Sequence, residues 1–189
     1  MIVDDDIEKP KKRKSKSKFY QIENYYPYLK HPEKYLREDK IIKARSGLEI
    51  EYFRNFDINK NIIQWQSEGI AIPYKKPIFD GVGRIIRFEI RKYYPDVHLI
   101  MKNKNGEIQE ILGEIKPYKQ IIKPELKNRK TQKSIKNYVN EKCVWFINIC
   151  KWKAANSFAK AINEKYKRNI TFYLFLEDNK TINFKDIKI

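Results

Sequence analysis

Apolar residues fall at every second position in two adjacent stretches, and these frame the expected sheet. Val97, Leu99 and Met101 alternate with Asp96, His98 and Ile100, the period of a strand with one buried face. Lys104-Asn105-Gly106 supplies a turn, and Glu107–Lys116 returns as a second strand with Ile108, Ile111, Leu112 and Ile115 as its apolar members. Upstream, Ile86, Phe88 and Ile90 alternate against Arg87, Glu89 and Arg91, which predicts a strand over Arg84–Tyr93. Ile62–Trp65 and Gly69–Tyr74 predict two more, the second closed by Pro73. Residues 75–84, carrying Pro77, Gly81 and Gly83, are expected as a loop. Ile41 and Ile42 suggest a short edge strand. Ile170–Leu176 is apolar throughout and reads as a buried strand, with a turn at Asp178-Asn179.

Helical spacing appears twice. Leu48, Tyr52, Phe53 and Phe56 form one stripe from Ser46 to about Asp57. Ser46 is a good N-cap, and Glu49 stands three residues on, as a capping box requires. Glu49 shares the inward face, so it reads either as a cap alone or as a carboxylate held at the core margin toward a site. Trp152, Ala155, Ala159, Ile162 and Tyr166 form the second stripe, ended by Asn169. Tyr138–Cys150 is ambiguous, because Val144-Trp145-Phe146-Ile147 has strand character beside a helical neighbour. The order of elements predicts an α/β domain over residues 40–189, a mixed central sheet flanked by helices.

Composition adds a partner. The chain of 189 residues has a formal net charge of +17, which favours a polyanion, nucleic acid before an anionic membrane. Residues 1–18 hold Asp4-Asp5-Asp6 and then Lys11, Lys12, Arg13, Lys14, Lys16 and Lys18, with too few apolar residues to order themselves. This basic arm suits phosphates, a protein partner or a localisation signal, or serves as a solubilising tail. Residues 19–39 are rich in Tyr and Pro and are expected as an irregular, partly packed lead-in. Lys119–Lys136, with Arg129 and Lys130, forms a basic linker that either crosses DNA or is simply solvated. Cys143 and Cys150 make neither a disulfide framework nor a CxxC site, and His31 and His98 complete no familiar zinc spacing. No apolar run approaches a membrane span, and no signal peptide is evident, which points to a reducing, cytosol-like compartment.

The hairpin carries the chemistry. A two-residue Asn105-Gly106 turn would set Asp96 opposite Ile115. A three-residue loop with Gly106 left-handed, forming a G1 bulge, sets Asp96 opposite Glu114, with Lys116 on the same face. The second turn is predicted. Two carboxylates paired across a sheet repel, so the arrangement makes sense chiefly around a cation. Asp96, Glu114, Glu49 and the Ile115 carbonyl are hard ligands suited to Mg²⁺. Lys116 would orient or deprotonate a water, or neutralise developing charge. A charged hairpin edge is the plain alternative.

Several motifs together resemble a known family: Arg45-Ser46-Gly47-Leu48-Glu49, the Trp65–Tyr74 stretch, Tyr94-Pro95-Asp96, Glu114-Ile115-Lys116-Pro117 and Lys151-Trp152-Lys153-Ala154-Ala155. They look like the head-completion (neck) proteins of tailed phages, related to the endonuclease subunit of heteromeric transposases. The likeness spans roughly residues 40–177. It implies a restriction-endonuclease-like PD-(D/E)xK core with Glu49, Asp96, Glu114 and Lys116 as active-site positions and Mg²⁺, or Mn²⁺ in its place, as cofactor. It implies double-stranded DNA and portal or neck proteins as partners, an oligomer at the vertex, and a place in the virion after assembly in the host cytoplasm. Lys11, Lys12, Arg13, Lys14, Arg45, Arg129 and Lys130 are the candidate DNA contacts. Two other functions stand beside an endonuclease: a non-catalytic structural virion protein, supported by the arm and lead-in, and a transposase- or repair-type nuclease.

Overall fold

The computed structural model describes residues 13–14, 20–126 and 131–187, with the side chains of the first strands at Arg13, Lys14, Tyr20 and Gln21 left aside. The expected behaviour of the basic arm therefore lies almost wholly outside the described residues. Within it only Arg13–Lys14 (β1) is placed, paired antiparallel with Tyr20–Gln21 (β2).

Helix α1, Gly47–Ile58, starts where the capping box predicts, with the Ser46 hydroxyl accepting the Glu49 N–H at 3.2 Å. Its Tyr52, Phe53 and Phe56 are buried as the stripe requires. Strand β3 (Ile62–Ser67) follows, then β4 (Ile72–Phe79) and β5 (Ile85–Tyr93), which form a separate two-stranded ribbon. The hairpin is β6 (Val97–Lys102) and β7 (Ile108–Ile115). Helix α2 (Gln132–Tyr166), β8 (Ile170–Phe175) and β9 (Thr181–Asn183) complete the order. The central sheet runs β3-β6-β7-β8-β9, antiparallel except for the parallel β7–β8 pair. That one parallel step follows from α2, which carries the chain back across the sheet between the two strands.

Each face of the sheet has its own core. On one, α1 packs Tyr52, Phe53 and Phe56 with Trp65, Val97, Leu99, Ile111, Ile115 and Phe175. The lead-in joins this layer: Tyr25 and Tyr35 are buried, and Tyr35 meets Trp65 edge-on at 5.0 Å. On the other face, α2 packs Trp145, Ile149, Trp152, Ala155 and Ala159 with Leu112, Phe172 and Leu174 and with Ile72, Tyr74 and Tyr93 of the ribbon.

The hairpin register is the predicted one. Val97 faces Gly113, His98 faces Leu112 and Lys102 faces Ile108. Gly106 is left-handed at φ +80, and its N–H donates to Asn103 O at 3.0 Å, closing the three-residue loop.

Other expectations are corrected. Ile41 and Ile42 form no strand; Ile42 is instead anchored to the lead-in, its carbonyl accepting the Tyr25 N–H at 2.7 Å. Pro73 does not end a strand, and residues 75–79 are not loop. β4 runs through both Pro73 and Pro77, because among the described residues it pairs with β5 alone and prolines can point their missing N–H away from that partner. The turn is confined to residues 80–84, where Asp80 accepts the N–H groups of Val82 and Arg84 at 3.0 and 2.8 Å. Val144–Ile147 is helical: Trp145, Asn148, Ile149 and Trp152 are buried at steps of three and four, so the second stripe starts earlier than its most regular part. The basic linker is shorter for the same reason, since α2 begins at Gln132, capped by Thr131. At the far end Tyr166 is exposed, and left-handed Lys167 at φ +54, not Asn169, terminates the helix.

At Gly113 the α1-side core packs directly against the β7 backbone. A Cβ there would stand 2.2 Å from the Phe175 ring and 2.8 Å from Val97 Cγ2. Gly113→Ala is expected to destabilise the fold by about 1–3 kcal/mol, since buried Phe175 and Val97 must both shift. Urea denaturation measures it; unchanged stability would show that this contact is soft.

Candidate active site

Because β6 and β7 pair in the register above, Asp96, His98, Leu112 and Glu114 fall on the α2 face of the sheet. Asp96 stands just before β6, and Lys116 just after β7. Lys116 Nζ lies 2.9 Å from Glu114 Oε1 and 3.6 Å from Asp96 Oδ2. The Glu114 side chain is only 3% exposed, and that of Asp96 15%. Two further donors hold the carboxylates. Tyr93 O–H donates to Glu114 Oε2 at 2.6 Å, and the Ile115 N–H donates to Asp96 Oδ2 at 2.8 Å.

The electrostatics follow from crowding. Burial first, and then the Glu114 charge, push the Asp96 carboxyl up to about 7, against the opposing pull of Lys116. For Lys116, burial opposes the charged form, but Asp96 and Glu114 together outweigh it and raise the ammonium above its ordinary value. Tyr93 is raised too, by burial and then by the neighbouring carboxylates. The site is thus a buried ionic cluster with a firmly protonated lysine and one carboxyl close to taking up a proton.

The remaining predicted residues divide. Glu49 contributes to the field at Asp96 and Lys116. Its carboxylate, however, is engaged at the helix start: Oε2 accepts the Arg45 N–H at 2.8 Å and Oε1 the Ser46 O–H at 3.0 Å. Glu49 is thus the cap of α1, and its charge is felt at Asp96 and Lys116. Among the described residues, no three His, Cys, Asp or Glu side chains form a group able to hold a metal ion. Ile115 is at the site through its N–H. Arg45 pairs with Glu68 at 2.5 Å. Lys11, Lys12, Arg129 and Lys130, and the side chains of Arg13 and Lys14, lie outside the described residues.

Three neighbours are not among the predicted site residues. Tyr93 is the direct donor to Glu114, but the alternation of β5 sets it on the face of Arg87, Glu89 and Arg91, so nothing in the sequence marked it as inward. Glu68, left-handed at φ +49, donates its N–H to Asp96 O at 3.3 Å and so links Arg45 to the site backbone. Lys151 sits over the Tyr93 ring at 5.5 Å, which brings the Lys151–Ala155 motif to the same place. Farther along the same face, His98 bonds Glu110 at 2.8 Å, and Arg168 closes the pair with a second contact to Glu110 at 2.7 Å.

A mixed sheet with helices on both faces, and two carboxylates and a lysine from adjacent strands, defines a restriction-endonuclease-like domain. Comparison with known proteins gives the same class: residues 59–175 match the family described as TnsA-like endonuclease N terminal. Over 157 residues the chain is 35% identical to the head completion nuclease of Enterobacteria phage T4, covering 82% of this chain and 93% of that protein. The chain therefore belongs to the TnsA-like endonuclease family and is a relative of the phage head-completion nuclease. No solved structure matches it.

The raised Asp96 carboxyl sets a pH dependence. Folded Asp96 keeps its proton to about 7, whereas unfolded it releases it near 3.8. Between those values the folded chain binds more protons, so metal-free stability should fall as pH rises, by up to about 1.4 kcal/mol per pH unit. Urea denaturation in chelator at pH 5, 6 and 7 should show this slope, and Asp96→Asn should lack it. An equal slope in both proteins would place the titration elsewhere.

Proposed function

We propose that the chain is a divalent-metal-dependent DNA endonuclease that acts in phage head completion, at the portal or neck vertex once the genome is packaged. The observation that carries this reading is the Asp96–Glu114–Lys116 cluster at the ends of two adjacent strands. The donor chemistry fits Mg²⁺, with Mn²⁺ as a substitute. The oxygens are hard, and burial together with the neighbouring Glu114 charge raises Asp96 to about 7. Mg²⁺ commonly uses only one or two carboxylates and keeps several waters, so a site without a third converging carboxylate still suits it. Asp96 and Glu114 would hold the ion, with the Ile115 carbonyl as a further ligand and Glu49 supplying negative charge from the α1 start. When bound, the metal supplies charge neutralisation at the phosphate and an acidified water.

The chain's own groups do the rest. Lys116, held protonated by its two neighbours, serves better as a donor to the scissile phosphate or the attacking water than as a base. Tyr93 and the Ile115 N–H keep the carboxylates aimed. Lys151, beside Tyr93, adds a positive charge at the margin. The net charge of +17 supports double-stranded DNA as the partner, with Arg45 and the basic segments at Lys11–Lys14 and Arg129-Lys130 as phosphate contacts.

Purified protein with Mg²⁺ should nick or cut linear or branched duplex DNA. Glu114→Gln and Lys116→Met should each lower the rate at least about 100-fold while retaining DNA binding. Cutting that survives both substitutions would place the active site elsewhere. Glu49→Gln keeps an oxygen for the cap but loses the charge. A strong drop in cutting, with thermal stability held to within about 1 kcal/mol, is expected from its electrostatic share in the site. Full activity would reduce Glu49 to a cap.

A further inference from the structure

The β4–β5 ribbon carries an apolar row that nothing among the described residues covers. Ile86 is 61% exposed, Phe88 53% and Ile90 69%. The strand that bears them pairs with β4 alone, so its other edge is open among the described residues. The two edges of the ribbon are not alike. β4 carries Pro73 and Pro77, opposite Lys92 and Phe88. Proline has no N–H, so these positions point away from β5 and spoil the outer edge of β4 for strand addition. By the same alternation, the residues facing them across the ladder, Phe88 and Lys92, and Ile90 between them, turn their backbone N–H and C=O groups outward from β5. That edge holds no proline.

We propose that this edge pairs antiparallel with the β5 edge of a second copy of the chain, about a twofold axis at Phe88. The sequence Ile86-Arg87-Phe88-Glu89-Ile90 complements itself in that one register. Phe88 meets Phe88 of the second copy, and Ile86 meets Ile90 in both directions. On the opposite face Arg87 meets Glu89, again twice. The neighbouring registers that also pair outward-facing backbone are worse. Centring on Glu89 sets that carboxylate against itself and Arg87 against Arg91. Centring on Arg87 sets that guanidinium against itself. Like charges directly opposite are destabilising, and the aromatic and charge-paired arrangement is favourable. Within one chain Glu89 is bonded by Arg87 and Arg91 on the same face, so its charge is already presented beside the open edge. The register shift between Ile78 and Phe79 leaves Ile86 as the extra residue on β5, so the regular part of the symmetric ladder is centred on Arg87, Phe88 and Glu89, with the Ile86–Ile90 contacts at its two ends. A ladder this short buries little area, so the dimer is a concentration-dependent one. Since β5 ends at Tyr93, the axis places the two Tyr93 residues on the order of 30 Å apart, on opposite sides of it.

Sedimentation velocity of the full chain, freed of nucleic acid, tests this. Wild type should pass from monomer to dimer as concentration rises through the micromolar range toward about 0.5 mM. Arg87→Glu alone and Glu89→Arg alone should each weaken association at least tenfold, because each sets like charges opposite one another. Mixed together, the two single variants should associate with each other, and the double exchange should restore self-association. That pairing also shows that both variants are folded. The proposal is overturned if wild type stays monomeric over that range, if the single exchanges leave association unchanged, or if the mixture associates no better than its components. None of these outcomes bears on cutting by the monomer, so the endonuclease reading stands or falls separately.

Discussion

The register of the β6–β7 hairpin decides what this domain can do. With Val97 facing Gly113, the even-numbered side chains of both strands share the α2 face and the odd-numbered ones share the α1 face. Asp96, Glu114 and Lys116 then cluster, while Gly113 turns toward Phe175 and lets the α1 layer close. A slip of one residue would turn the slipped strand's carboxylate into the aromatic α1 layer and part Asp96 from Glu114. The turn that sets the register depends on Gly106 being left-handed, a conformation that costs glycine little.

Once the carboxylates are side by side, their environment follows. Taking charges out of water is costly, and a buried pair survives only when its remaining hydrogen-bonding capacity is met. Here Lys116 spans both carboxylates, Tyr93 satisfies one and the Ile115 N–H the other. The compensation is incomplete, which is why Asp96 sits near 7. A site poised between holding a proton and holding a cation suits the metal-assisted reading proposed above, and the chain's curated relative is described as a head completion nuclease.

Much of this was legible in the sequence, because the decisive signals are local. Alternation and a Gly-containing turn were enough to choose between two registers, and Ser46 with Glu49 marked the start of α1. What was not legible depends on partners distant in the chain. Pro73 and Pro77 look like strand breakers until β4 is known to be a ribbon edge. Val144–Ile147 looks like a strand until Trp145 and Ile149 are seen to join the Trp152 stripe. Tyr93 and Glu68 reach the site only through tertiary contacts: Tyr93 through a carboxylate on another hairpin, Glu68 through the Asp96 carbonyl. Arg45 was read as a candidate phosphate contact, and its pairing with Glu68 could not be foreseen from spacing.

The central claim is that Asp96 and Glu114 form a repulsive pair which a divalent cation relieves. The direct measurement is the thermal midpoint at pH 8 with chelator and with millimolar Mg²⁺, for wild type and for Asp96→Asn. Linkage requires that an ion bound only by the folded state raise the midpoint. The account predicts a clear rise for wild type and little or none for Asp96→Asn. Equal shifts in the two proteins, or no shift in either, would contradict it.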